Sequence, residues 1–324
     1  MHSLVVCRRK LSLARRLAIR LTLARQAWRF ALWNTPRCNG YVLCRPRGGF
    51  SDCCAQIARC MLYARDFRRI LLIDGSRAGQ LRKLDRYFET NSQSFPVIII
   101  GADSDIYDNL DGLSVYPGAV AGNLRGHASV YDTQRKLHID PESRVPICFD
   151  YVSYPHDILV HAQCGGGAGW AALQLFRLTH FARTIVSDRL RMLPSRYRAI
   201  HIRNTDKRMD VLAFLDEIAP KVAGMPLLVS TDNAASVDLC RSRLVGCDVF
   251  TVSQVPDSHG NSLHDNPDYA GLGLDIDILA DLIAMSKACE LILPAKGGEP
   301  LSGFSAIAAD LHVRPSVLGH MLRS

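Results

Sequence analysis

From Tyr41 onward, short apolar runs alternate with longer stretches of helical spacing, the pattern of strands and helices taken in turn. Residues 41–44 and 69–74 read as strands. A turn over 45–51 and a helix from Asp52 to residue 65 join them, which makes a βαβ unit. A helix over 77–88 and strands over 95–101, 145–149 and 158–162 continue the scheme, while 104–143 is polar and irregular and is expected to hold loops that meet an acceptor. One long helix over 168–192 leads to a hinge at Leu193-Pro194. Beyond it come strand 199–203, helix 209–221, strand 226–230, helix 234–244, strand 248–252, a loop over 253–273, helix 274–288, strand 290–293 and helix 302–311. The reading is α/β in two similar halves, a first domain over 40–192 and a second over 193–324, preceded by a basic arm over 1–39. A chain of 324 residues is long enough to bury two such cores.

In strand 199–203, Ile200 and Ile202 point to one side of the pleat and Ala199, His201 and Arg203 to the other, so the strand is mostly apolar until its carboxyl end. Ligands of open parallel sheets bind outside such ends, and the fixed fork of an arginine suits a pair of phosphate oxygens. Thr231-Asp232-Asn233 follows the next strand and Ser302 follows the loop after the last one, so the three groups are expected to converge on one crevice. Each has a plainer reading, since Asp, Asn and Ser also cap helices. In the first half, Arg47, Gly48, Gly49, Phe50 and Asp52 form a glycine turn where a helix begins, with Asp52 as the expected N-cap; free amides there receive an anion or sugar hydroxyls.

Charge changes the picture once it is located. Residues 1–38 hold nine Lys or Arg and no acidic residue, which leaves 30 basic against 31 acidic residues elsewhere, or −1. The body is near neutral, and no groove for nucleic acid is indicated. The arm has helical spacing with Arg16, Arg20 and Arg25 among apolar residues and Trp28, Phe30 and Trp33 as interfacial anchors. It lacks the apolar length of a spanning helix, so peripheral contact with an anionic membrane surface, a disordered tail, or packing against the body stand side by side. Eleven scattered cysteines without metal-ligand spacing point to a reducing compartment, hence a cytoplasmic protein, on the inner membrane face if the arm anchors it.

His201-Ile-Arg203-Asn-Thr-Asp206-Lys207 resembles the His-Val-Arg-Arg-Thr-Asp-Lys motif of the α-1,6-fucosyltransferases, in a clan with protein O-fucosyltransferases and a rhizobial nodulation fucosyltransferase. Gly48-Gly-Phe-Ser-Asp-Cys53, Ser230-Thr-Asp-Asn233, Leu263-His264, Asp281-Leu-Ile-Ala-Met-Ser-Lys-Ala and Leu301-Ser302-Gly303-Phe304-Ser305 are similar to further elements of that clan. The resemblance implies a GT-B fold, two Rossmann-like domains facing across a cleft. It further implies a nucleotide-sugar donor such as GDP-fucose held mainly by the second domain, a glycan acceptor, and neither metal nor other cofactor. By position, Arg203 would hold the diphosphate, Asp206 and Lys207 would shape the donor site beside His201, and Asp232 and Asp281 would lie near base and ribose. The family's second arginine is Asn204 here and its second aspartate is Asn233. Its proposed base falls at Val211, next to Asp210, which becomes the candidate proton acceptor.

Three other readings compete. Asp103-Ser-Asp105 after an apolar strand suits a metal-dependent transferase, whereas Asp275-Ile-Asp277 lies in a helical pattern where residues two apart cannot share an ion. Gly167-Ala-Gly169-Trp-Ala-Ala172 is a loose dinucleotide fingerprint without its second strand end. A noncatalytic sugar-nucleotide or glycan-binding protein would keep Arg203 and show no transfer.

Overall fold

The computed structural model describes residues 38–80, 82–91, 96–101, 104–167, 169–204, 210–255, 273–294 and 301–323. The arm up to residue 37, Asp103, Asp206, Lys207 and the Leu263-His264 pair lie outside them. In chain order the first half runs β1 (Tyr41–Cys44), α1 (Phe50–Asp66), β2 (Ile70–Ile73), α2 (Leu84–Tyr87), β3 (Phe88–Thr90), β4 (Val97–Ile99), α3 (Ile106–Leu110), β5 (Val115–Tyr116), β6 (Val130–Asp132), β7 (Leu137–Ile139), β8 (Ile158–His161) and β9 (Phe176–Leu178). After α4 (His180–Arg191) come β10 (Arg198–Ile202), α5 (Val211–Val222), β11 (Leu227–Thr231), α6 (Ala234–Arg243), β12 (Val249–Phe250), α7 (Leu274–Lys287), β13 (Glu290–Ile292), α8 (Gly303–His312) and α9 (Pro315–Met321).

Two parallel sheets carry the architecture, with strand orders β4-β2-β1-β8-β5 and β12-β11-β10-β13. In both, the chain builds outward on one side of its first strand and then returns to the other side. The strand order therefore reverses between β1 and β8 and again between β10 and β13, and a crevice opens outside the carboxyl ends at such a reversal. Burial follows the pleat: Ile200 and Ile202 pack with Leu215 of α5 and Val237 of α6, while Ala199 joins a different core. That second core runs through both halves, from Cys54 and Tyr63 of α1 to Ile283 and Met285 of α7, Ile307 of α8 and Met321 of α9. Each such aliphatic side chain contributes about 1.5–3 kcal/mol when fully buried. The last helix, α9, leaves the second half and packs on β9 and the 3-10 turn Trp170–Leu175. The Arg183 guanidinium seals this return by donating to the Arg323 carbonyl at 2.7 Å.

Several sequence expectations change. Residues 168–192 are not one helix: the described part divides into the 3-10 turn, β9 and α4. Phe176 and Leu178 are buried in an antiparallel pair with β3, and the Thr179 hydroxyl restarts the helix by accepting from the Ala182 amide at 3.2 Å. For the same reason the expected helix 77–88 shrinks to α2, its end drawn into β3. Residues 145–149 form no strand, only a single bridge from Pro146 to Ile139; Pro146 has no amide to donate. The place beside β8 is taken by β5, from the stretch expected to be loop, which also holds α3 and the β6–β7 hairpin. Leu193-Pro194 lies between α4 and β10. Among the described residues no helix is long and apolar enough to cross a membrane, and all ten cysteines are free thiols.

Candidate functional site

Three apolar residues, Ala199, Ile200 and Ile202, carry β10 into the core, and the polar chemistry gathers at its carboxyl end with His201 and Arg203. His201 is buried, its Nδ1 2.7 Å from the Ser305 hydroxyl and its ring 5.1 Å from that of Phe304. Burial, helped by the charge on Arg203, pushes its pKa down to about 3, so the imidazole is neutral at neutral pH. Arg203 lines the cavity outside the strand end. Next door, Asp232 accepts the Asn204 amide at 2.9 Å and so ties the ends of β10 and β11 together. Thr231 and Asp232 face the cavity. Asn233 does not; it caps α6 by accepting from the Ala235 amide at 2.9 Å.

The far wall comes from α7. Asp281 accepts from the hydroxyls of Ser253 at 2.7 Å and Ser230 at 3.0 Å, and burial raises its pKa to about 6 against these bonds. One turn earlier, burial pushes up the Asp277 carboxyl, against the pull of its ion-pair partner Arg189. Ser302 is the N-cap of α8, its hydroxyl accepting from the Ser305 amide at 3.2 Å and donating to the Ser305 hydroxyl at 2.9 Å. It supports His201 through Ser305 and is not among the residues that line the cavity.

The near wall comes from the glycine turn of the first half. Gly48 has φ +85°, and a Cβ there would lie 2.7 Å from the Asp52 carboxylate, so only glycine fits. The helix begins earlier than the sequence suggests: Gly49 is its N-cap, and Asp52, expected in that role, reaches back from the third position to the Gly49 amide at 3.3 Å. Asp52 fills the acidic half of a capping box, accepting from the N-cap amide of Gly49 instead of from amides further into the helix. Gly49, Phe50, Ser51, Asp52 and Gln80 line the cavity, and Gln80 accepts the Phe50 amide at 2.7 Å. Arg47 turns away toward Ser129 at 3.1 Å and is not part of the lining.

The two walls meet closely. Phe50 and Phe304 stand edge to face at 6.2 Å, and a Cβ on Gly303 would lie 2.8 Å from the Cβ of Ser51, so the amino termini of α1 and α8 converge on one opening. The positive ends of both helix dipoles thus lie at the space next to Arg203. The cavity is open at its mouth, and its empty space, solvent at that mouth included, is about 900 Å³. Asp210 stands outside it, capping α5 with Oδ1 at 3.0 Å from the Ala213 amide, and Asp105 is exposed at the start of α3. Sequence reasoning missed Gln80, Ser253, Gln254 and Asp277 as cavity residues. Only Asp277 had a signal, its place one turn before Asp281 on the same helix face.

No family model and no curated protein matches the chain. Solved structures do. A NodZ α-1,6-fucosyltransferase soaked with GDP-fucose aligns at TM-score 0.60 and 16% identity, over 84% of this chain and 92% of that one; NodZ is a fucosyltransferase of Bradyrhizobium. Arabidopsis thaliana FUT1 in complex with GDP aligns at TM-score 0.51 and 15% identity, over 93% of this chain and 76% of that one. POFUT1 in complex with GDP aligns at TM-score 0.52 and 12% identity, over 86% and 98%. At these identities the likeness is one of fold, and the fold is GT-B-like: two Rossmann-like units facing across a cleft.

Proposed function

We propose that this protein is a glycosyltransferase that moves a sugar from a GDP-sugar, fucose from GDP-fucose first among the candidates, to a hydroxyl of a glycan acceptor. The observation that carries the reading is the position of Arg203. It stands at the strand-order reversal of the second sheet, in the cavity on which the amino termini of α1 and α8 converge. The motif resemblance around His201 and Arg203 supports it, as does the fold shared with fucosyltransferases solved with GDP or GDP-fucose.

In this reading the diphosphate lies against Arg203, with the amides of the two helix starts beside it. As the bond from the sugar carbon to the diphosphate breaks, negative charge grows on the departing oxygen. Donors already aimed at that place stabilise it without reorganising. Neutral His201, held by Ser305 and Phe304, fixes the strand end that carries Arg203. Asp281, Ser230 and Ser253 offer a carboxyl and two hydroxyls to the nucleoside. The charge on the diphosphate is met by the chain's own cations and amides, so we infer that donor binding needs no metal.

A thermal-shift panel of GDP-, UDP-, ADP- and dTDP-sugars, each with and without EDTA, tests this. A donor at about 100 times its dissociation constant stabilises the fold by roughly 2.7 kcal/mol, and the GDP-sugars should give that shift in both conditions. A shift with none of them, or one abolished by EDTA and restored by manganese, overturns the reading.

A further inference from the structure

Two arginines lie next to the cavity without belonging to its lining. Arg47 follows β1 and Arg77 follows β2, on the two loops whose other members, Gly49 and Gln80, do line it. The loops are stapled by the Gly79 amide donating to the Gly48 carbonyl at 2.9 Å. Arg45, two residues before Arg47, is matched by Asp74 at 3.2 Å. Arg47 and Arg77 are not matched. Among the described residues neither makes an ion pair, and their donors go to neutral oxygens: Arg47 to Ser129 at 3.1 Å and the Arg77 carbonyl at 3.4 Å, Arg77 to the Arg125 carbonyl at 3.0 Å and to that of His127. The buried Arg47 Nε has no hydrogen-bond partner. Burial first, then the charges of Arg77 and Arg45, weaken the hold of Arg47 on its proton. An anion arriving here would relieve that repulsion and supply the missing acceptor.

Beside the guanidiniums stands an aromatic surface. Tyr131 and His138 face each other across the β6–β7 hairpin with ring centroids 5.2 Å apart, and Tyr131 is 47% exposed. Ser129, two residues before Tyr131, has its hydroxyl 3.5 Å from His138 Nδ1 and 3.1 Å from Arg47. His138 is neutral, its pKa lowered to about 4 by burial and by Arg47, so it adds no charge of its own. The C–H face of a sugar ring suits the negative face of such an aromatic pair.

We propose that Arg47, Arg77, Ser129 and the Tyr131–His138 pair form an acceptor subsite selective for an anionic saccharide, one that carries a carboxylate or a sulfate on a ring seated against Tyr131. The proposal rests on the transferase reading above and names its acceptor class. The subsite continues from the donor cavity along the two loops, so a sugar bound there extends toward the place where the donor's sugar would sit.

Two matched pairs of probes test it on the full chain with GDP present: trigalacturonate against its methyl ester, and 6-sulfated against unsulfated diacetylchitobiose. Calorimetry should find the charged member of at least one pair about tenfold tighter at low salt, the expected size for one added charge-assisted bond. Arg77→Gln should erase that preference, Arg77→Lys should keep part of it, and Tyr131→Ala should weaken both members alike. Ser129→Asp, which replaces the hydroxyl that Arg47 donates to by a carboxylate and so supplies the anion from within the chain, should erase the preference with the fold intact, and it decides the matter if Arg77→Gln fails to fold. Equal binding within both pairs, or a preference untouched by Arg77→Gln and Ser129→Asp, overturns the proposal and leaves the two arginines as clasps for the 125–129 segment. A loss of the GDP shift in Arg77→Gln also overturns it, by assigning the pair to the donor. Absence of a GDP shift in the wild type is a separate result, against the donor reading alone.

Discussion

The carboxyl edges of the two sheets are built on one plan and used in opposite ways. In the first sheet the strand-end charges are turned inward: Arg45 and Asp74, 1% and 5% exposed, hold each other, Tyr107 and the Leu124 carbonyl, and Asp74 also takes Ser76. Burial works against the Asp74 carboxylate, yet the bonds from Ser76 and Tyr107 and the charge on Arg45 keep its pKa below the usual range. In the second sheet the equivalent edge, Arg203, Thr231 and Asp232, opens on a cavity. Topology alone therefore does not place a donor site. What decides is whether the space outside a strand-order reversal is filled by the protein's own loops or left as a cavity that its polar groups line.

The largest effect should come from breaking the inward edge. Arg45→Ala leaves Asp74 buried and uncompensated, a change that costs about 3–5 kcal/mol, and denaturant melts should show it without any specific loss of GDP-sugar binding in the folded fraction. The outward edge should respond in the reverse way. Arg203→Ala should lower transfer on the order of 10²-fold, about 2.7 kcal/mol of transition-state stabilisation, with its melting curve close to wild type. Arg203→Lys, which keeps the charge and loses the fork, should fall between. If Arg203→Ala unfolds and Arg45→Ala does not, the comparison is backwards.

Asp281 gives a smaller, pH-dependent effect. An unfolded aspartate titrates near about 3.9, and this one titrates at about 6 in the fold. Between those values the folded chain binds more protons than the unfolded one, so this group's contribution falls as pH rises through the window and the full cost remains above it. His201 slopes the other way, since its folded pKa of about 3 makes acid favour the unfolded chain. Asp281→Asn should be stabilised relative to wild type above about pH 6, and the two should converge toward about pH 4. A constant difference across pH would contradict the assigned burial. The smallest effect concerns Asp210. Asn caps helices as well as Asp does, so Asp210→Asn should leave both melting and transfer unchanged. A large drop in transfer with unchanged melting would restore Asp210 as proton acceptor.

How much of this was legible depended on whether a pattern was local. The runs at 41–44, 70–73, 198–202 and 227–231 announce parallel strands because both of their faces are covered, and the pleat of β10 sorted Ile200 and Ile202 from Ala199 correctly. The β3–β9 pair was invisible. Phe88 and Leu178 meet across the chain, and nothing within either stretch marks a strand too short to outweigh helical spacing. At the site, Arg203, Thr231 and Asp232 could be read from strand ends, and all three line the cavity. Ser302 and Asn233 carried the same signal, and Asp210 was proposed from the resemblance alone; all three cap helices, since one residue chemistry serves both purposes. Gln80 and Ser253 reach the cavity from loops whose path is set by tertiary contacts.

The return of α9 to the first half has a consequence for biosynthesis. Val317, Leu318 and Met321 complete a core begun by β1 and α1 and close over β9. On the ribosome, then, the half that emerges first is the half that is finished last. Its nascent form waits with an apolar flank, Phe176 and Leu178 of β9 among it, uncovered until residue 321 has left the exit tunnel, and a chaperone that covers that flank during synthesis would be released as α9 docks.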